Sequence, residues 1–257
     1  MTTRRVLISG GDVRSHQLLL LHGQPGSAAD WRRVQARLPA PLQAVAVDRP
    51  GYGSSRRAPA GFAGNARAVV DELDARSISE AVLVGHSYGG AVALSAAILA
   101  PDRVEALVLL ASAGPGCLNA VDRLMAGRGT GPLCAMIAVA LTPWIPPGDH
   151  HPRWRTFLAE QRALVREVDQ LTSLLPRIRV PVLLLADPRD LVVPVATARR
   201  LEQALPEARL QLIRGSGHDL PRRAPGRVAN AIAGFLAGLD ADHRSAGQGP
   251  GWRPGPG

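Results

Sequence analysis

Gly85-His86-Ser87-Tyr88-Gly89-Gly90 is the stretch on which the reading of this chain turns. Ala81-Val82-Leu83-Val84 precedes it, a short apolar run with the look of a buried strand. Ala91-Val92-Ala93-Leu94-Ser95-Ala96-Ala97 follows it and reads as the start of a helix. A serine held by glycines between strand and helix fits a nucleophile elbow, a tight turn that strains the serine backbone. A Cβ at position 85 or 89 is expected to collide with the neighbouring helix or strand, which accounts for Gly85 and Gly89. The turn is expected to push the hydroxyl into the open, within reach of a base. The helix N-terminus behind it supplies amide N–H groups and a favourable dipole end for a developing anion. A Gly/Ser turn that merely links strand to helix is the bland alternative, and the full strand-turn-helix context disfavours it.

Working outward, Leu18-Leu19-Leu20-Leu21 reads as a central strand ending in His22-Gly23. Ala44-Val45-Ala46-Val47-Asp48 reads as the next, followed by the turn Arg49-Pro50-Gly51-Tyr52-Gly53. Further strands are expected at Val104–Leu110, Val180–Ala186 and Leu210–Ile213. Helical spacing recurs between them. Trp31, Val34 and Leu38 share one face of a helix over 29–38, and Val69, Val70 and Leu73 one face of a helix over 65–76. A last long helix is expected over 228–239. Alternating strands and helices predict an α/β fold with a mostly parallel central sheet covered by helices on both faces. Active sites in such sheets lie at the strand carboxyl ends.

The segment 114–176 breaks this rhythm. It carries Pro/Gly clusters and helical stretches around 133–141 and 154–175, with no clear strand. It reads as a helical cap inserted into a core formed by 1–113 and 177–240. From Ala241 the chain turns polar and Gly/Pro-rich, and 241–257 is expected to be a disordered tail.

Composition narrows the function classes. The chain of 257 residues carries a formal charge of +9, and all 30 basic residues are Arg. A total lack of Lys beside abundant Ala, Gly and Pro points to codon bias rather than to selection for a polyanion. No Arg-rich run is interleaved with aromatics, which are 4% of residues, so nucleic-acid binding is not expected. No apolar run reaches the ~18 residues a membrane span requires. The N-terminal apolar stretch is too short for a secretory leader, so a cytoplasmic location is the default expectation. Cys117 and Cys134 lie in no metal or redox motif, and a disulfide between them would need an oxidising compartment.

A serine hydroxyl is a weak nucleophile at neutral pH and needs a base, itself oriented by a carboxylate. The best histidine is His218, in the glycine-flanked loop Arg214-Gly215-Ser216-Gly217-His218-Asp219 between the last strand and last helix. The best carboxylate is Asp190, in the loop Asp187-Pro188-Arg189-Asp190-Leu191-Val192-Val193-Pro194 after a buried strand.

At this point the chain resembles a member of the α/β-hydrolase fold superfamily, of the serine-nucleophile, esterase-like kind. The resemblance runs from about Gln17 to Leu239. It rests on His22-Gly23-Gln24-Pro25-Gly26-Ser27, Asp48-Arg49-Pro50-Gly51-Tyr52-Gly53-Ser54-Ser55, the elbow, and the acid and histidine loops, all in order. It implies a triad of Ser87, Asp190 and His218. It also implies an oxyanion hole from the backbone N–H groups of Gln24 and Tyr88. Pro25 has no N–H, which leaves the Gln24 amide as the natural second donor. Asp187 is a rival acid, but the family pattern, acid then apolar residues then Pro, favours Asp190. Asp219 is expected to cap a helix, His22 to stabilise its loop, His86 to pack, Asp48 to tie down the turn after it, and Trp144, Trp154 and Phe157 to pack the cap. His150 and His151 read as a solvated cap loop rather than metal ligands. Members usually carry two further strands before the His-Gly loop. Here only about Arg5–Ile8 is available, so a shortened sheet edge is expected.

With Ser as nucleophile, the resemblance implies acyl transfer to water rather than dehalogenation or epoxide opening. The expectation is a cofactor-free hydrolase that cleaves a carboxylic ester of a small or medium apolar substrate. Carbon–carbon, thioester or lactone hydrolysis, or perhydrolysis, are the alternatives on the same residues. A catalytically silent ligand receptor of this fold would have lost a triad member, and none is lost here.

Overall fold

The computed structural model describes residues 16–40, 42–127 and 150–247. Its strands are β1 (Gln17–Leu21), β2 (Gln43–Val47), β3 (Ala81–His86), β4 (Val104–Leu110), β5 (Val182–Ala186) and β6 (Ala208–Leu212). They form one sheet in the spatial order β2-β1-β3-β4-β5-β6, with every neighbouring pair parallel. Each expected strand is present within a few residues of its reading, and Arg5–Ile8 lies outside the described residues.

Strand pleating explains why the strands show so little alternation. Leu19 and Leu21 of β1 face one core, with Leu83, Leu107, Leu109 and Leu184. Leu18 and Leu20 face the other, with Val82, Val84, Val108, Leu183 and Leu185. Successive side chains point to opposite faces, and both faces are covered, so every position is apolar. The four leucines of β1 are at most 2% exposed, each worth about 2 kcal/mol of burial.

The first core is roofed by α2 (Phe62–Ala75) and α3 (Tyr88–Leu99), the second by α1 (Arg32–Gln35) and the long C-terminal helix. Residues 29–38 are not one helix. A 3-10 turn over Ala28–Trp31 leads into α1, which ends at Gln35. Pro39 disfavours helical backbone at Leu38, which accounts for part of the shortening. Trp31 and Val34 are fully buried as their spacing requires.

Between β4 and β5 lies the helical insertion, with α4 (Ala120–Ala126) and the 25-residue α5 (His150–Leu174). His150 and His151 open α5 instead of forming a loop, and their side chains lie outside the described residues, as do Trp144 and Cys134. Cys117 is a buried free thiol. The C-terminal half of α5 does more than cover strand ends: Leu164, Val168 and Leu171 join the first core beside α2 and α3. Glu167 of α5 accepts from the amide of Phe62 at 2.8 Å. That carboxylate serves the N-terminus of α2, whose own capping residue is Gly61 and has no side chain to offer.

After β5 come α6 (Val195–Ala204), then α7 (Leu220–Arg223) and α8 (Pro225–Gly247) beyond β6. The polar stretch from Ala241 therefore begins inside a helix, since Ala241–Gly247 has no proline to stop it. Among the described residues, no helix is long and apolar enough to cross a membrane.

The chain leaves β1 towards β2 and returns to β3 on the other side of β1. The loops after β1 and β3 therefore diverge at their carboxyl ends and leave a crevice there. His22-Gly23-Gln24 follows β1 and Ser87 follows β3, so topology alone sets these two segments side by side.

Candidate active site

Ser87 has φ 54° and ψ −121°, in the region that favours glycine. Strain of this kind costs about 1–3 kcal/mol and persists only where surrounding bonds over-determine it. Here they do. The Ser87 amide donates to Leu110 O at 2.9 Å, and its carbonyl accepts from Gly90 N at 2.9 Å and Ala113 N at 3.1 Å. The glycines leave the room. A Cβ on Gly85 would run into the Gly89 carbonyl at the start of α3, and one on Gly89 into the carbonyls of Leu21 and His22 at the end of β1. Both obstacles are backbone and cannot swing aside. The hydroxyl does not stand in the open, however: Ser87 is 8% exposed.

Ser87, His218 and Asp190 form one hydrogen-bonded line. His218 Nε2 lies 3.1 Å from Ser87 Oγ, and His218 Nδ1 lies 2.8 Å from Asp190 Oδ2. A carboxylate only accepts, so Nδ1 carries the proton and Nε2 is left to accept from the serine hydroxyl. The other Asp190 oxygen, Oδ1, accepts the amides of Val192 at 2.8 Å and Val193 at 2.9 Å. The residues after Asp190 thus hold its carboxylate in place.

Asp187, the rival acid, is engaged elsewhere. Its Oδ1 accepts the Arg189 amide at 2.9 Å, and its Oδ2 accepts the amides of Ser216 at 2.5 Å and Gly217 at 2.7 Å. Burial alone would raise its pKa, but these donors hold it below the usual carboxylate value. Asp187 ties the acid loop to the histidine loop and does not reach His218. Asp219 occupies the N-cap position of α7 but makes no capping hydrogen bond with its side chain. Asp48 does tie down the turn after it, accepting Ser54 N at 2.8 Å, and it also accepts Ala28 N at 2.8 Å. Trp154 and Phe157 pack edge to face at 5.1 Å.

His86 does more than pack. Its Nε2 donates to the His218 carbonyl at 2.9 Å, so it holds the backbone of the proposed base. Burial, then the nearby His218, lowers its pKa to about 3. His22 is also held neutral, well below its ordinary value, by burial and by Arg49. The Arg49 amide donates to His22 Nε2 at 3.1 Å, so the ring proton is on Nδ1, which donates to Gly23 O at 2.7 Å. For both rings the folded pKa lies below the unfolded one. The unfolded chain takes up protons near pH 6.5 that the folded chain refuses, for His86 until about pH 3. Stability is therefore full above pH 6.5 and falls as the pH drops, by at most about 1.4 kcal/mol per pH unit for each ring. Urea midpoints measured from pH 7.5 to 4.5 are expected to fall, and less steeply in His86→Gln. Parallel slopes for the two proteins would remove His86 from this account.

Sequence reasoning missed a buried polar cluster beside the site. Arg49 and Glu160 are paired with side chains 1% and 0% exposed. Tyr52 Oη donates to Glu160 Oε2 at 2.8 Å, and the Arg49 guanidinium stacks on the rings of Tyr52 and Tyr88 at 5.1 and 4.9 Å. Burial pushes the Glu160 carboxyl up, while the same pair keeps Arg49 firmly charged. Breaking such a pair from one side costs about 3–5 kcal/mol. The signal was present in α5: Glu160 and Gln161 fall on the same stripe as Phe157, Leu164, Val168 and Leu171, so a charge sits on an inward face.

Gly23 brings the His-Gly loop against the serine: a Cβ there would lie 3.1 Å from Ser87 Cβ. Among the described residues, neither the Gln24 amide nor the Tyr88 amide donates a hydrogen bond. A groove of about 520 Å³ along β6 and α8, lined by Arg209, Gln211, Arg227 and Phe235, includes none of Ser87, Asp190 and His218. It is not where this chemistry is assembled. Among the described residues, no cluster of three or more His, Cys, Asp or Glu could hold a metal ion.

Comparison with known proteins agrees with this architecture. Residues 18–231 match the model of the alpha/beta hydrolase family. The chain is 32% identical over 253 residues to a 2-hydroxymuconate semialdehyde hydrolase from Pseudomonas sp. (strain CF600), covering 87% of this chain and 88% of that protein. Two solved structures share the fold. One is a thermophilic esterase from Thermogutta terrifontis, with TM-score 0.72, 22% identity, and coverage of 88% of this chain and 91% of that one. The other is an esterase from Rhodococcus sp. ECU1013, with TM-score 0.67, 23% identity, and coverage of 89% and 93%.

Proposed function

This chain belongs to the alpha/beta hydrolase family, and from that premise we propose that it is a cofactor-free serine hydrolase of carboxylic esters with small or medium apolar groups. The observation that carries this reading is the line from Ser87 through His218 to Asp190 at the carboxyl ends of parallel strands.

In this mechanism Ser87 Oγ attacks the ester carbonyl carbon while His218 Nε2 takes its proton. Asp190 stabilises the imidazolium through Nδ1. The carbonyl oxygen becomes an oxyanion and takes hydrogen bonds from the amides of Gln24 and Tyr88, each lowering the barrier by about 3–4 kcal/mol. Collapse expels the alcohol, which receives its proton from His218, and leaves an acyl group on Ser87. A water molecule deprotonated by His218 attacks that acyl group. The second tetrahedral adduct collapses as His218 returns that proton to Ser87 Oγ, which releases the acid and restores the serine. The helical insertion at 114–176 covers the substrate in this reading.

A second reading has one observation in its favour. The 32%-identical relative is named for 2-hydroxymuconate semialdehyde, which is not an ester. Hydrolysis of a carbon–carbon bond on the same three residues is that reading.

A fluorophosphonate probe tests the nucleophile. It is expected to label one serine, located at Ser87 by peptide mass spectrometry. A protein that hydrolyses esters with Ser87 unlabelled removes the proposal. A panel of p-nitrophenyl esters, run beside 2-hydroxymuconate semialdehyde, separates the two reactions by kcat/KM.

A further inference from the structure

Two adjacent residues of α5, Glu160 and Gln161, are 0% and 2% exposed, and both reach the loop after β1. Glu160 does so through Arg49. The guanidinium is paired to Glu160 on both carboxylate oxygens, with Nη2 to Oε2 at 3.2 Å. The same guanidinium donates from Nε to His22 O at 2.9 Å and from Nη2 to Gly23 O at 3.0 Å. The second bond matters most. Gly23 C=O and Gln24 N–H belong to one peptide unit, which is planar and trans, so anchoring the oxygen sets the direction of the N–H. Arg49 also lies over the ring of Tyr88, the residue bearing the other assigned amide. One buried cation thus holds the Gly23 carbonyl of the peptide that carries the Gln24 N–H and lies over the ring of Tyr88, and its counterion comes from the insertion.

Gln161 grips Gln24 directly. Its Nε2 donates to Asp122 Oδ1 at 3.0 Å, and its Oε1 accepts from Gln24 Nε2 at 2.8 Å. The Asp122 carboxylate cannot donate, so it dictates which way the Gln161 amide faces, and Gln161 in turn dictates Gln24. Gln24 Oε1 is buried without a hydrogen-bond partner, so among the described residues the contact with Gln161 is what orients this side chain.

We propose that Glu160 and Gln161 are positioning residues through which helix α5 aims the Gln24 amide, so that the oxyanion-binding pair is complete only while this helix is seated. This rests on the assignment of Gln24 and Tyr88 as oxyanion donors. A pair that served the core alone would have no reason to engage both the guanidinium that holds the Gly23 carbonyl and the side chain of Gln24.

The test measures p-nitrophenyl butyrate hydrolysis by wild type, Glu160→Gln and Gln161→Met. It adds the affinity of each for a trifluoromethyl ketone, which forms a tetrahedral oxyanion on a serine. Each variant is expected to lose on the order of 10–100-fold in kcat with KM within about threefold. Ketone affinity is expected to fall by a similar factor, with the thermal melt of Gln161→Met close to wild type. If Glu160→Gln does not fold, Gln161→Met decides, since it removes no charge. A folded Gln161→Met with unchanged kcat, or with a change in KM alone, overturns the positioning role. The two readings fail separately. Ser87→Ala at wild-type activity overturns the serine mechanism, whereas an inactive Ser87→Ala beside a fully active Gln161→Met overturns only this inference.

Discussion

Ser87→Ala is expected to lower ester-hydrolysis kcat by roughly 10⁴- to 10⁶-fold while leaving the fold intact. Alanine keeps the Cβ and changes nothing that holds the strained backbone: the bonds to Leu110, Gly90 and Ala113 all run through main-chain atoms. What disappears is Oγ and its 3.1 Å contact with His218. Losing one hydrogen bond of this kind alters stability by only about 0.5–1.5 kcal/mol. A melting curve near that of wild type, with activity at background and KM-level binding of an ester inhibitor retained, is the expected set of results. Activity within tenfold of wild type in a purified variant would show that the reaction does not pass through Ser87.

Asp190→Asn should be nearly as damaging, about 10³- to 10⁴-fold in kcat, for a reason that depends on the local hydrogen bonds. Oδ1 of Asp190 accepts two amides, from Val192 and Val193. An asparagine must turn its oxygen towards those donors, which leaves its NH₂ facing His218 Nδ1, where Asp190 now accepts at 2.8 Å. The imidazole then has to accept at Nδ1 and carry its proton on Nε2, so it presents a donor to Ser87 where a base is needed. The variant should fold, bind substrate and show its loss in kcat; an activity loss that appears instead in KM would contradict the tautomer argument. Asp187→Asn is a useful contrast. Asp187 accepts from Arg189, Ser216 and Gly217 and does not reach His218, so its effect should fall on stability of the two loops.

The alternation of strands and helices was readable because its signals are local. Leu18–Leu21, Ala81–Val84 and Val104–Leu110 are apolar at every position, and only a sheet covered on both faces accommodates that. The elbow was readable in part for the same reason: Gly85 answers to the Gly89 backbone four residues on, whereas the backbone that requires Gly89 is that of Leu21 and His22 at the end of β1. Helix ends were less legible. The helix read over 29–38 became a 3-10 turn and a short α1, and α8 ran into the polar tail. Among the carboxylates, Asp187 and Asp190 have similar surroundings in sequence, and choosing between them leaned on a family pattern.

By itself, the sequence determined the parallel sheet, the serine turn, and the kinds of residue able to act as base and acid, because each depends on periodicity or on neighbours along the chain. Tertiary structure decided which groups meet. Ser87 and His218 are 131 positions apart, and Arg49 and Glu160 are 111 apart. No local pattern encodes those pairings. A hydrogen bond needs its donor and acceptor within about 3 Å and aligned, and only the packing of α5 beside α2 and α3 and the reversal of strand order at β1 and β3 bring these groups to that range. The roles of His86 and Gln161 were invisible for the same reason: each acts by orienting a neighbour that the folded chain, not the sequence, puts beside it.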